Sequence, residues 1–119
     1  MTTESEVSQF LSEFHQKLQV FDILFRDDRS KNQRAVLHLE ITQNMRRKII
    51  ESLEKQDYSE GKLDDTLFDL ASMWVFGKHV KQQEVYIKIS MGRHGSQVIC
   101  ISFHAAEKPM RYPFKPTTK

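Results

Sequence analysis

EVYIKISMGRHGSQVICISFH, residues Glu84 to His104, is the stretch whose reading decides the fold. Its first run alternates strictly. Val85, Ile87, Ile89 and Met91 point one way and Glu84, Tyr86, Lys88 and Ser90 the other, the pattern of a strand with one buried face. The second run sends Ile99, Ile101 and Phe103 to one side and Val98, Cys100, Ser102 and His104 to the other. Gly92 and Gly95 lie between them. An antiparallel hairpin closed through Arg93 to Gln97 sets Lys88 opposite Ser102 and Tyr86 opposite His104, and a shift of two residues keeps the same faces. The open face then carries tyrosine, lysine, serine and histidine.

Working outward from the hairpin, MWVFGKHVK at Met73 to Lys81 reads as a preceding strand with Trp74, Phe76 and Val80 on one face. Val75, Gly77, His79 and Lys81 share the other. If Gln82 and Gln83 form a two-residue turn, Trp74, Phe76 and Val80 meet Met91, Ile89 and Val85, and His79 falls opposite Tyr86. Lys78 then points toward the apolar side, near its rim. The stretch DYSEGKLDDT reads as a turn or an irregular edge strand, and Leu63 to Ser72 as a loop with room for helical turns. The tail, AEKPMRYPFKPTTK, holds three prolines and is expected to run extended along the sheet edge before fraying.

The N-terminal half is helical in pattern. Val7, Phe10, Leu11, Phe14 and Leu18 recur at helical spacing between Glu4 and Phe21, with Thr3 or Ser5 as a cap. His15 lies off that stripe and reads as solvent-facing. Asp22 to Phe25 is a short strand or an extended link. RDDRSKN, Arg26 to Asn32, is a polar loop. Arg26, Arg29 and Lys31 are its phosphate-reaching candidates, but Asp27 and Asp28 cancel much of their field and favour a plain solvated turn. Gln33 to Glu40 reads as a short helix with Val36, Leu37 and Leu39 as apolar contacts. Thr42 caps a third helix whose stripe is Met45, Ile49, Ile50 and Leu53, with Arg46, Arg47 and Lys48 wrapping around it.

These elements predict one α+β domain over residues 1–119, helical to about residue 56 and sheet-forming from about 57 to 115. Its two layers are N-terminal helices packed on a three- to four-stranded antiparallel sheet. The length suits a single core. The N-terminus lacks a basic start followed by an apolar run, and the longest apolar run, Val98 to Ile101, is too short to span a bilayer, so a soluble cytoplasmic protein is expected. A lone cysteine, Cys100, excludes an internal disulfide and reads as a packed thiol. No metal motif, P-loop or nucleophile elbow is present, and neither cofactor nor metal is expected.

Net charge is +2, but it is unevenly spread. Residues 1–70 hold 10 Lys and Arg against 14 Asp and Glu, a balance of −4, whereas residues 71–119 hold 8 against 2, a balance of +6. The sheet-forming part is therefore basic. Charge alone favours ordinary solvated surface over a nucleic-acid partner.

The open face groups His79, Tyr86, Lys88, Ser102 and His104, with Lys78, Lys81 and Arg93 around its edge. Such a set suits RNA: cations hold phosphates, a ring stacks on an unpaired base, and histidine moves protons near neutral pH. Cutting RNA without metal needs a group that takes the 2′-hydroxyl proton, a group that protonates the leaving 5′-oxygen, and cations for the charge on phosphorus. His104 is the candidate for proton transfer, Tyr86 for proton transfer or stacking, Lys78 and Lys88 for the phosphate, and Glu60 for a base. His79, Lys81, Arg93 and Ser102 are the candidate RNA contacts. A histidine ending a strand beside a half-exposed tyrosine also occurs in inert sheets.

Five segments carry a family resemblance: DYSEG (Asp57 to Gly61), MWVFGK (Met73 to Lys78), EVYIKI (Glu84 to Ile89), CISFH (Cys100 to His104) and YPFK (Tyr112 to Lys115). Across nearly the whole chain they resemble small bacterial proteins assigned to the MqsR-type toxins of type II toxin-antitoxin systems, and more distantly the RelE-like superfamily. The resemblance to the best-known MqsR toxin rests on the V-Y-(I/L)-K-I strand and the following I-x-(I/V)-S-F strand. It implies functional roles for Tyr86 and for His104, where that toxin has lysine. A functional lysine near DYSEG and a functional glutamine near Met73 have no match here. The resemblance implies a metal-independent mRNA endoribonuclease acting on free mRNA, neutralised by a cognate antitoxin that bears a helix-turn-helix domain. The rival expectation is a non-catalytic RNA-binding or protein-interaction module on the same fold.

Overall fold

The computed structural model describes residues 2–27, 30–63 and 72–116. Helix α1 spans Glu4–Phe21 and begins at Thr3, whose hydroxyl accepts from the Glu6 N–H while the Glu6 carboxylate accepts from the Thr3 N–H. All five apolar residues of its predicted stripe are buried. Strand β1 (Ile23–Phe25) follows, then α2 (Ser30–Leu39) and α3 (Gln43–Glu51), which is capped by Thr42 as expected. A single 3-10 turn at Lys55–Asp57 leads into β2 (Tyr58–Leu63), and β3 (Met73–Val80), β4 (Gln83–Ser90) and β5 (Val98–Ala105) complete the sheet. The predicted loop over Leu63 to Ser72 lies, from residue 64 to 71, outside the described residues.

The architecture is α+β, with a sheet of five strands rather than three or four. Its order is β1-β5-β4-β3-β2. It is also mixed rather than antiparallel, because β1 pairs parallel to β5, Ile23 beside Val98 and Phe25 beside Cys100. The helical half thus contributes an edge strand, formed where a short strand or extended link is expected at Asp22 to Phe25, while the three α-helices lie before residue 56 and the other four strands after 57. Crossing from β1 back to a parallel position requires a long connection, and the whole chain between them supplies it.

The β3–β4 turn is Lys81-Gln82, with Val80 opposite Gln83. Both turn residues have positive φ, 50° and 68°, the geometry of the two-residue turn that matches strand twist. The expected register therefore slips by two. Trp74 meets Ile89, Phe76 meets Ile87, and His79 faces Glu84 while Gly77 faces Tyr86. Between β4 and β5 the predicted pairs Lys88–Ser102 and Tyr86–His104 form, but a bulge between Lys88 and Ile89 pairs Ile89 with Cys100. The bulge takes up Ile101 and reverses the expected faces of Val98, Ile99 and Cys100, while Ser102, Phe103 and His104 keep theirs. Phe103 joins Val98 and Cys100 in the main core, while Ile99 and Ile101 are buried outside it.

That core packs α1 on the sheet, with Phe10 stacked on Trp74 at 4.5 Å between ring centroids and Phe14, Leu18, Ile87 and Ile89 fully enclosed. From α3, Ile50 joins it, Ile49 is partly buried and Met45 is exposed; Leu53, expected on the same helix, lies just past its end and is also in the core. In α2, Leu39 is buried and Leu37 exposed, while the Val36 side chain lies outside the described set. His15 is not a bare surface residue: its Nε2 lies 3.0 Å from the Ile50 carbonyl and ties α1 to α3. Nor is Arg46 part of an exposed basic run. It is 3% exposed, forks onto the Asp27 carboxylate with two bonds of 2.8 Å, and lies over the Phe25 ring.

The tail does not follow the sheet edge. It turns back at Ala106, whose N–H donates to the Glu84 carbonyl, and crosses the open face at the β3–β4 end. The Glu84 carboxylate accepts from the Met110 N–H (3.1 Å) and the Tyr112 hydroxyl (2.6 Å), and Phe114 stacks on Tyr58 at 5.3 Å. Gly77 makes this crossing possible. A Cβ there would lie 2.8 Å from the Met110 sulfur and closer still to the Tyr112 hydroxyl.

Candidate functional site

Where the tail leaves the open face uncovered, a cleft of about 630 Å³ remains. Tyr86 and Lys88 of β4 and Ser102 and His104 of β5 line it, Ser59 and Glu60 of β2 contribute from across the sheet, and Ala106 to Arg111 of the tail close one side. The strict alternation of β4 puts Tyr86 and Lys88 here, and the β5 bulge returns Ser102 and His104 to the same face.

Tyr86 and His104 are cross-strand partners whose rings stack with centroids 5.2 Å apart and planes 12° from parallel. Lys88 places its ammonium 5.9 Å from the centre of the Tyr86 ring. The Nδ1 atom of His104 lies 2.9 Å from the Ala105 carbonyl oxygen. A carbonyl only accepts, so Nδ1 carries a hydrogen and the neutral ring keeps its lone pair on Nε2. That nitrogen can take or, once protonated, give a proton.

A buried asparagine sets the strand that carries His104. Asn32 of α2 is 2% exposed. Its amide donates to the carbonyls of Ile101 (3.0 Å) and Arg26 (2.9 Å), and its side-chain oxygen accepts from the Phe103 N–H (2.9 Å). The backbone groups that the bulge takes out of the ladder are thereby satisfied on both sides of Ser102. Asn32 shares one face of α2 with the buried residues Ala35 and Leu39, a spacing of three and seven; a polar residue on an apolar helical stripe is the sequence signal that marks it.

The predicted site residues separate into two groups. Tyr86, Lys88, Ser102, His104 and Glu60 share the cleft, although Ser102 is buried at 2% exposure and Glu60 is exposed on the opposite strand. Lys78, His79, Lys81 and Arg93 do not line it. Lys78 points to the helix side of β3, where its ammonium meets the Asp57 carboxylate at 3.0 Å. Lys81 sits in the hairpin turn and donates to the Glu40 carbonyl, His79 is exposed opposite Glu84, and the Arg93 carbonyl accepts from Lys17 at the far loop.

In their place the cleft has Lys31, Lys108 and Arg111. Lys31 reaches it from α2 and pairs with Glu107, holding that carboxyl below its usual range. Lys31, Lys88, Lys108 and Arg111 stand against Glu60 and Glu107, so the cleft is cationic before His104 is counted. Of the loop candidates, Arg29 lies outside the described residues and Arg26 is bonded through its backbone to Cys100 and Asn32. Cys100 is buried, and burial pushes its thiol up to about 12. Among the described residues no three His, Cys, Asp or Glu side chains converge as a metal cage, and no helix is long and apolar enough to cross a membrane.

No protein-family model, curated protein or solved structure matches the chain.

Proposed function

We propose that this protein is an endoribonuclease that binds single-stranded RNA in the cleft and cuts it through its own side chains. The observation that carries this reading is the stacked Tyr86–His104 pair at a cationic cleft, with Lys88 alongside. A flat, cation-rimmed groove with a half-exposed ring takes unpaired bases by stacking and phosphates by charge.

Cleavage proceeds by transfer within the RNA. A base removes the 2′-hydroxyl proton, O2′ forms a bond to phosphorus, and the bond to the 5′-oxygen breaks as an acid protonates that oxygen. The products are a 2′,3′-cyclic phosphate and a 5′-hydroxyl end. His104 moves a proton through Nε2, its ring held by the Ala105 carbonyl and by the Tyr86 face. Lys88 stabilises the charge that gathers on the phosphoryl oxygens. Glu60, or the hydroxyl of Tyr86, supplies the second proton-transfer group.

The sequence resemblance extends the reading: a toxin of a type II toxin-antitoxin system, acting on mRNA in the cytoplasm and silenced by an antitoxin that bears a helix-turn-helix domain. Growth of a bacterial host after induction of the wild type beside a Tyr86→Phe, His104→Ala double variant tests both parts, with 5′-hydroxyl RNA ends mapped in each. Arrest with new ends in the wild type alone supports the nuclease. A folded wild type that yields neither arrest nor ends overturns it in favour of a binding module.

A further inference from the structure

His104 stands on a ridge. On one side lies the cleft, and on the other a second hollow of about 280 Å³ between α2 and the end of β5. Lys31, His104 and Glu107 border both. The floor of the second hollow is apolar, from buried Ala35 and Leu39, and its volume is close to the small end of ligand sites, about 300 Å³. Its rim is cationic. Lys31, Arg34 and His38 follow one another at i, i+3 and i+7 along α2, a single stripe about 10 Å long at 1.5 Å per residue. Arg34 and His38 are exposed, and among the described residues neither is held by a hydrogen bond or ion pair.

We propose that this hollow binds the nucleotide adjoining the scissile phosphate, so that one RNA strand runs from the cleft, across His104, onto α2. The inference rests on the nuclease reading. A group that transfers protons at a phosphodiester has nucleotides on both sides of it, and a cleft on one side alone leaves half of the scissile unit unsupported. The second hollow supplies the missing half. Its apolar floor takes a base and Arg34, with its planar fork, takes a phosphate, with His38 beside it. Charge favours a polyanion over a peptide, since among the described residues the one carboxylate at the rim, Glu107, is already paired with Lys31.

The test uses a fluorescent single-stranded RNA dodecamer with 2′-O-methyl riboses, which binds but cannot be cut. Fluorescence anisotropy over a salt series compares the wild type with Arg34→Ala, His38→Ala. The expected result is about tenfold weaker binding, with the slope of log Kd against log salt reduced by about 0.7 for each phosphate no longer neutralised. Arg34→Lys restores the slope but only part of the affinity. A dodecamer carrying 4-thiouridine is expected to cross-link to the peptide that contains Lys31–Leu39. Unchanged affinity and slope, with cross-links confined to β4, β5 and the tail, overturn the hollow and leave the nuclease reading standing. A wild type that binds the dodecamer through Arg34 yet leaves unmodified RNA intact overturns cleavage alone. No binding by the folded wild type overturns both.

Discussion

Replacing Asn32 by alanine removes three hydrogen bonds from one buried side chain, and the consequences follow from which partners are left. The Arg26 carbonyl belongs to a half-buried residue at the surface and can turn to water. The Phe103 N–H and the Ile101 carbonyl belong to buried residues and cannot. Each buried polar group left unsatisfied costs about 1–3 kcal/mol, so Asn32→Ala should lose about 4 kcal/mol. Against a total stability of about 5–15 kcal/mol that is a large fraction. Urea denaturation would read it as a lower midpoint at unchanged slope, and thermal melting as a fall of about 15 °C. Asn32→Asp is the sharper variant, because it keeps the acceptor for Phe103 but sets a carboxylate oxygen against two carbonyl oxygens. It should be no more stable than the alanine variant. Because the same bonds hold the backbone on both sides of Ser102, the folded fraction of either variant should also cut RNA more slowly. A loss below about 1 kcal/mol, or an Asn32→Asp protein as stable as the wild type, refutes the assignment of Asn32 as the residue that completes the bulge.

Four further outcomes are expected. His104→Ala should lower the cleavage rate about 10²- to 10⁴-fold, the usual worth of a proton-transfer group, with an unchanged melting temperature; cleavage at the wild-type rate removes it from the mechanism. Lys78→Ala should leave the rate unchanged and cost under about 1 kcal/mol, because its partner Asp57 lies on the other side of the sheet, and a large loss of activity would contradict that placement. Burial and the bond to Glu84 raise the Tyr112 hydroxyl above its ordinary value, so its contribution is complete below about pH 10 and is lost as pH rises further. Tyr112→Phe should remove that alkaline loss from a stability-versus-pH curve. Cys100, raised to about 12, should react with a thiol reagent only at the rate of unfolding, and its share of stability should fall as pH climbs from about 8.5 toward 12; fast labelling of the native protein would contradict its burial.

The parts of the fold that are legible in the sequence are those with a single uninterrupted period. Helix α1 carries five apolar residues on one stripe and forms as its spacing predicts, and β4 alternates without a break, which puts Tyr86 and Lys88 on one face. Expectation and structure part where one residue shifts a count. A turn at Lys81-Gln82 instead of Gln82-Gln83 moves His79 from Tyr86 to Glu84, and the extra residue in β5 reverses Phe103 relative to Ile99. Positive φ at lysine and glutamine has no composition cue, since asparagine and glycine are the usual markers of such turns. Strand β1 is only three residues long, too short to show a period, and its parallel pairing depends on a partner more than seventy residues away. The path of the tail is hidden for another reason. Prolines announce that Glu107 to Pro116 is no regular element, but only Gly77, read as a place for close backbone approach, hints at what crosses it.

The charge of the cleft shows why counting by sequence halves misplaces its cations. The basic C-terminal part is expected to form the cationic face by itself, yet two of its lysines are turned elsewhere, Lys78 to Asp57 and Lys81 to the Glu40 carbonyl. What remains there is Lys88 on the sheet and Lys108 and Arg111 on the tail. The rest of the cleft's field comes from the acidic half, through Lys31 on α2, which with Arg34 at the second hollow is brought alongside β5 because Asn32, Ala35 and Leu39 face inward on the same helix. The residue that completes the β5 bulge thus belongs to the helix that presents the second basic stripe. Moving α2 would disturb the ridge at His104 and both of its flanks together. The cleft is therefore bounded by two structures whose placement rests on single residues, a helix docked through one asparagine and a tail laid across one glycine.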